Sequence, residues 1–335
     1  MDIAAFNLVL NSVSAVLGLV TVGLVLGLDR GNLAQRVSVR FTLAIAWVDV
    51  FKAVSIILYS VWKTGGLACK MVGFLLVWGF LGYMFLNGML ALNLYLVFVR
   101  GKVFSEAWTK YYFSCGLGMA SVLTGILLAL DKFGWDDDFG VCEFKDSNSA
   151  GTYALMWLCF IGWILVVCVF NLVVIILALH KLWSRETRIC PAHRHLKSLV
   201  LRVVVLCSIP IVTQVWYPIL RIAEFTLRTP PTALVYINVI ATDLPGILNC
   251  IVFLYDPSLR NPAHSFHQLL LSGFPDDQPS AVDYEFTIPQ PAQLSYPKQQ
   301  ELFSLPSTRL RTRYKSPITY WPGTNIPIYQ VVKGL

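Results

Sequence analysis

Seven runs of apolar residues dominate this chain, at about 4–28, 38–62, 67–99, 111–130, 152–179, 198–220 and 232–255. Each is long enough to cross a hydrocarbon core, which takes about 20 helical residues. Residues 71–99 and 147–180 contain no Asp, Glu, Lys or Arg. In lipid every backbone polar group must bond within its own segment, so runs of this kind are helices. Of the 335 residues, 56% are hydrophobic and 13% charged, where a soluble domain has about 25% charged. The expected fold is an all-α membrane protein, a seven-transmembrane helix bundle over residues 1–260. The first run is not a signal peptide by this reading. It opens on Asp2 rather than on basic residues, and its apolar stretch, 3–28, exceeds the roughly 7–15 of a signal core.

Orientation follows from the Lys and Arg of the short loops. With the N-terminus outside, the inner loops 29–40, 100–110 and 180–202 hold 12 of them, against 6 in the outer loops 63–70, 131–146 and 221–228. Asp136, Asp137 and Asp138 cluster in an outer loop and agree with that assignment. The N-terminus is therefore expected outside and the C-terminus in the cytosol. The net charge of +7 then reflects loops that face anionic lipid and calls for no nucleic-acid partner.

That topology sorts the eight cysteines. Only Cys69, at the start of span three, and Cys142, before span five, face an oxidising compartment, so they are the expected disulfide. Cys115, Cys159, Cys168, Cys207 and Cys250 fall within spans as small packing residues, and Cys190 faces the cytosol.

From about Asp256 the composition changes, with 11 of the 17 prolines beyond that point. The tail, 261–335, is expected to be mostly disordered, with a short amphipathic helix at 263–274 along the inner membrane surface. Ser307, Thr308, Thr312 and Ser316 stand among basic residues. They are either kinase sites or part of a stretch that touches anionic lipid.

No catalytic constellation is evident, and the chain is not expected to be an enzyme. His180, His193, His195, His264 and His267 all fall in segments assigned to the cytosol, away from any acid, base or nucleophile at membrane depth. Neither a metal nor another cofactor is expected.

Charges inside spans are expensive and by default functional. Asp49 and Lys52 lie three residues apart in span two and share a helix face, as a self-satisfying ion pair or as part of a site. Asp243 stands in span seven without a partner on its own helix and must meet Lys52, water or a ligand. Span six carries Pro210 and Pro218, each of which removes a backbone hydrogen bond and favours a kink. Between them lie Gln214, Trp216 and Tyr217, the two aromatics fitting an interfacial belt rather better than a pocket lining.

Seven spans, an outside N-terminus and a Cys69–Cys142 link resemble a rhodopsin-like G-protein-coupled receptor. In that family an Asp-Arg-Tyr motif follows the span-three cysteine by 25 residues. Here Asn93-Leu94-Tyr95 occupies that slot and Arg100 opens the next loop. Ile45-Ala46-Trp47-Val48-Asp49 resembles the family's Leu-Ala-x-x-Asp, Cys207-Ser208-Ile209-Pro210 its Cys-Trp-x-Pro, and Asn249-Cys250-Ile251-Val252-Phe253 its Asn-Pro-x-x-Tyr. Leu94, Ser208, Cys250 and Phe253 are departures from those patterns. The span-three and span-seven ends look more like the divergent fungal receptor-like group.

The resemblance implies a surface-membrane receptor for a small extracellular ligand, signalling through span-six movement to a heterotrimeric G protein. Leu94 cannot make the charged contact of the motif arginine. The basic residues left to face a G protein are Arg100, Lys102, Arg185, Arg188 and Arg194, beside Asn93, Leu94 and Tyr95. Opsins of the family hold retinal on a lysine at the position matched by Asp243, so retinal is not expected. The pocket residues implied are Asp243, Gln214, Tyr236, Trp216 and Tyr217, above a polar centre of Asp49, Lys52 and Asn249 and a switch at Pro210. Two other classes remain open: a carrier using Asp49, Lys52 and Asp243 as a proton or solute path, and a scaffold acting through its Pro-rich tail.

Overall fold

The computed structural model describes residues 3–28, 37–61, 66–102, 107–136, 141–145, 149–184, 191–227 and 231–255. Arg185, Arg188, Cys190 and the whole tail, with its expected helix at 263–274, lie outside them.

Among the described residues, seven helices are long and apolar enough to cross a membrane. Spans one and two are α1 (Ile3–Leu28) and α2 (Val37–Val61). Span three is α3 (Leu67–Leu94), continued by a π-helical turn at Tyr95–Val99. Span four is α4 (Ala107–Ala129). Span five starts as α5 (Ala150–Met156), widens into a π turn at Trp157–Ile161 and continues as α6 (Gly162–Trp183). Span six is α7 (Pro191–Gln214) followed by α8 (Trp216–Leu227), and span seven is α9 (Thr232–Leu254). The expected spans are thus all present. Span three, at 33 residues, is about 50 Å long at the α-helical rise, so it extends well beyond a hydrocarbon core of about 30 Å.

Span three is the pillar of the bundle, packed by spans two, four, five and six. Glycines let its neighbours approach. A Cβ at Gly79 would stand 3.3 Å from the Lys52 Cβ, and one at Gly73 would stand 3.1 Å from the Glu143 carbonyl oxygen. The π turn of span five has its own requirement, since a Cβ at Gly162 would lie 2.6 Å from the Trp157 carbonyl oxygen.

Span six differs from the sequence reading. The helix does not stop near residue 220; after a break at Val215 it runs on to Leu227. Residues 221–227 are therefore helix rather than loop. The charges that mark a loop in sequence are paired here, Arg221 Nη1 donating to Glu224 Oε2 one turn on at 3.0 Å. The break fits Pro218, which has no N–H for the Gln214 carbonyl.

Strands β1 (Phe133–Asp136) and β2 (Val141–Phe144) form an antiparallel ladder between spans four and five, pairing Gly134 with Glu143 and Trp135 with Cys142. The Cys69–Cys142 disulfide fixes this ladder to the start of span three, with both cysteines buried. We call this the disulfide end of the bundle. Nearby, Lys70 donates to Asp131 at 2.5 Å. The ammonium holds that exposed carboxyl below the usual carboxylate range. Whatever stability this pair supplies is present at neutral pH, fades as pH falls through the lowered pKa, and is screened by salt.

Cys69→Ser should act on the ladder before it acts on the bundle. The disulfide closes 73 residues, but much of that loop is spans three and four, which stay helical in the membrane. The expected result is a lower yield of folded protein in the membrane and a loosened ladder, with the span helices retained. The yield of detergent-soluble monomer and circular dichroism read the two; a native yield would show that the link is dispensable.

Candidate functional site

A buried polar cluster joins spans two and seven. Asp49, Lys52, Asp243 and Asn249 are all buried, none more than 3% exposed. Asn249 Nδ2 donates to Asp49 Oδ2 at 2.8 Å across 200 residues of sequence. Lys52 Nζ stands 4.0 Å from Asp49 Oδ1, yet its hydrogen bond, 2.9 Å, goes to the Thr242 carbonyl oxygen. Pro245 within span seven explains that carbonyl. It has no N–H for Ala241, so the turn is locally relaxed and its next carbonyl is presented to the lysine.

The lysine thus links the proline-containing stretch of span seven to span two, and its charge lies over two rings, 5.0 Å from the Phe80 centroid and 5.4 Å from that of Tyr83. Both contacts favour a cation. Asn11 of span one donates to Asn7 of its own helix, at 2.9 Å to the carbonyl and 2.5 Å to the side-chain oxygen, while Asp243 Oδ2 has no hydrogen-bond partner. The ammonium therefore stands 4.0 Å from one buried carboxylate, Asp49, while its hydrogen bond is committed to a backbone carbonyl.

Aromatic rings fill the space between this centre and the disulfide end. Phe133 and Phe144 of the ladder lie with centroids 5.6 Å apart. Phe144 meets Phe160 at 6.0 Å, Phe160 meets Tyr217 at 5.3 Å, and Tyr217 meets Phe80 at 6.2 Å. Phe80 then meets Lys52, so one column of rings runs from the ladder to the polar centre.

Tyr217 is accordingly not an interfacial belt residue. It is buried, because its hydroxyl finds partners inside: it donates to Glu143 Oε1 at 2.6 Å and accepts from Arg221 Nε at 3.0 Å. Trp216 is half-buried at the helix break. Gln214, fully buried, donates to the Thr213 hydroxyl at 3.3 Å and leaves its side-chain oxygen without a partner. Tyr236 is half-buried on span seven, two turns before Asp243.

Pro210 lies inside α7. Asn171 of span five donates to the Cys207 carbonyl at 3.4 Å, and the Cys168 thiol stands 3.8 Å from the Pro210 carbonyl. Span five thus serves backbone groups of the proline-containing stretch of span six.

At the opposite end the residues aligned with the arginine motif divide. Leu94 is fully buried and Asn93 nearly so. Tyr95 is half-buried and accepts from Arg100 Nε at 2.9 Å. Arg100 and Lys102 are exposed. Leu94 is therefore not presented at that surface as the sequence expectation had it, because the turn carrying it faces the core. Lys181 of span five donates to the Val99 carbonyl at 2.6 Å, satisfying the C-terminal end of span three, where a cation is favoured.

Asp49, Lys52 and Asn249 were visible as polar residues in apolar runs, and the structure brings them together. Asn11, Tyr83, Thr242, Pro245, Glu143 and Arg221 were missed. Asn11 and Pro245 carried a signal, a polar residue and a helix breaker inside otherwise apolar runs. The role of Thr242 rests on its backbone and had none. No family model matches the sequence, and no curated protein matches it.

Proposed function

We propose that the chain is a cell-surface receptor of the divergent rhodopsin-like type, with its disulfide end outside. A small extracellular ligand binds among spans three, six and seven, and span six moves about Pro210 and the Val215 break. The observation that carries this reading is the polar centre under the aromatic column. Asp243 and Gln214 each hold a buried oxygen without a hydrogen-bond partner, and the broken span six supplies a part that can shift. Arg100 and Lys102 are the exposed basic residues offered to a heterotrimeric G protein at the cytosolic end.

Basal nucleotide exchange on a panel of Gα subunits tests coupling, with the native chain in reconstituted membranes. Stimulation of one subunit type supports the reading. For the site, Asp243→Asn and Asp49→Asn should each weaken the response to an identified agonist. One lost hydrogen bond to a charged group is worth about 1.5–3 kcal/mol, a shift of about ten-fold or more in the concentration needed. An unchanged response in both variants contradicts the site.

A carrier is the second reading, favoured by the same two carboxylates and lysine at membrane depth. It predicts flux through vesicles; the receptor reading predicts none. A scaffold acting through its tail would lose function on deletion of 275–335 and keep it in both site variants.

A further inference from the structure

Arg221 of α8 is buried, 8% exposed, and holds three groups at once. It pairs with Glu143 of β2 through Nη2, with Glu224 of its own helix through Nη1 at 3.0 Å, and with the Tyr217 hydroxyl through Nε at 3.0 Å. Tyr217 in turn donates to Glu143. The guanidinium and the phenol therefore grip one carboxylate of the ladder from two positions on α8, one turn apart. The ladder itself is fixed to span three by the disulfide and by its close approach at Gly73.

We propose that this grip is a releasable latch, holding the β1–β2 ladder as a lid over the aromatic column and tying it to the segment of span six beyond the Val215 break. The inference rests on the proposed site beneath that column and states how it is kept closed. α8 cannot move away from span three without parting Arg221 from Glu143.

Two features make the latch releasable. Removing one partner of a buried ion pair normally strands a charge at large cost. Here Arg221 keeps Glu224, a carboxylate that travels with it on α8, so the opened state does not bury a bare guanidinium. Glu143, already 15% exposed, can hydrate when released. Lys70–Asp131 at the same end is not a latch of this kind. It is far more exposed, 37% and 60%, and it joins span three to the end of span four, leaving span six free.

The test is amide hydrogen exchange of the full chain in lipid nanodiscs, followed over 133–136, 141–144 and α8, with neither ligand nor G protein. Glu143→Gln and Arg221→Gln should each raise exchange in both strands by about ten-fold or more, the scale of a lost charge-assisted hydrogen bond, with spans one and two unchanged. Lys70→Gln should leave the strands as they are. Glu224→Gln should lower strand exchange, since released Arg221 then loses its second partner; a merely structural cluster would loosen in all three variants. Native exchange in Glu143→Gln overturns the latch, as does raised exchange in Glu224→Gln. Should Arg221→Gln fail to fold, Glu143→Gln and Glu224→Gln alone decide, by their opposite signs. Because the measurement uses no signalling partner, its failure leaves the receptor reading standing.

Discussion

Replacing Lys52 by methionine should cost the folded bundle about 3–5 kcal/mol, the usual penalty for leaving a buried charge without its partner. Methionine fills similar space, so lost volume contributes little. What is lost is the cation beside Asp49, and the donor to the Thr242 carbonyl near Pro245. SDS-driven unfolding of the purified chain reads this directly. The triple variant Lys52→Met, Asp49→Asn, Asp243→Asn should recover much of the loss, because neutral amides strand no charge. If Lys52→Met unfolds at the native midpoint, the lysine is not the counter-charge of the centre.

A second large effect is expected at Leu94. In the receptor family proposed for this chain, that slot holds arginine, so Leu94→Arg is the intuitive way to restore coupling. The packing argues otherwise. Leu94 is fully buried in the main core with Leu90, Ala91, Val97 and Phe98, and a guanidinium there would be taken out of water at an effective cost of several kcal/mol. Leu94→Arg should therefore unfold at a markedly lower SDS concentration than the native chain, and should gain exchange activity only if the end of span three opens to let the charge out. Native stability in that variant would mean that the closed packing around Leu94 is not the resting arrangement.

These two positions show where sequence reasoning reaches and where it stops. The spans were legible because the hydrocarbon requirement is one-dimensional: length and absence of charge suffice. The Cys69–Cys142 link was legible because topology left two cysteines in one compartment. Asp49 and Lys52 were legible as a pair from their spacing alone. The lysine's actual bond was not, since its acceptor is a carbonyl 190 residues away, on the turn before a proline. Arg221, counted as a loop charge, misled for the opposite reason. Charges signal a loop in sequence, and only the fold shows them neutralising one another and a residue of the ladder. Leu94 was read by alignment to a motif, and a motif fixes position along a helix without fixing which way the side chain faces.

The pair of readings, receptor and carrier, divides on whether the polar centre conducts. The most direct measurement places the native chain and Asp243→Asn in sealed vesicles with an internal pH indicator and purified Gα subunits outside, and follows proton flux and nucleotide exchange together. Exchange on at least one Gα subunit without flux is the predicted result. Proton flux through the native chain that disappears in Asp243→Asn, with no exchange on any subunit, would contradict the receptor assignment and make the Asp49–Lys52–Asp243 centre a transport path.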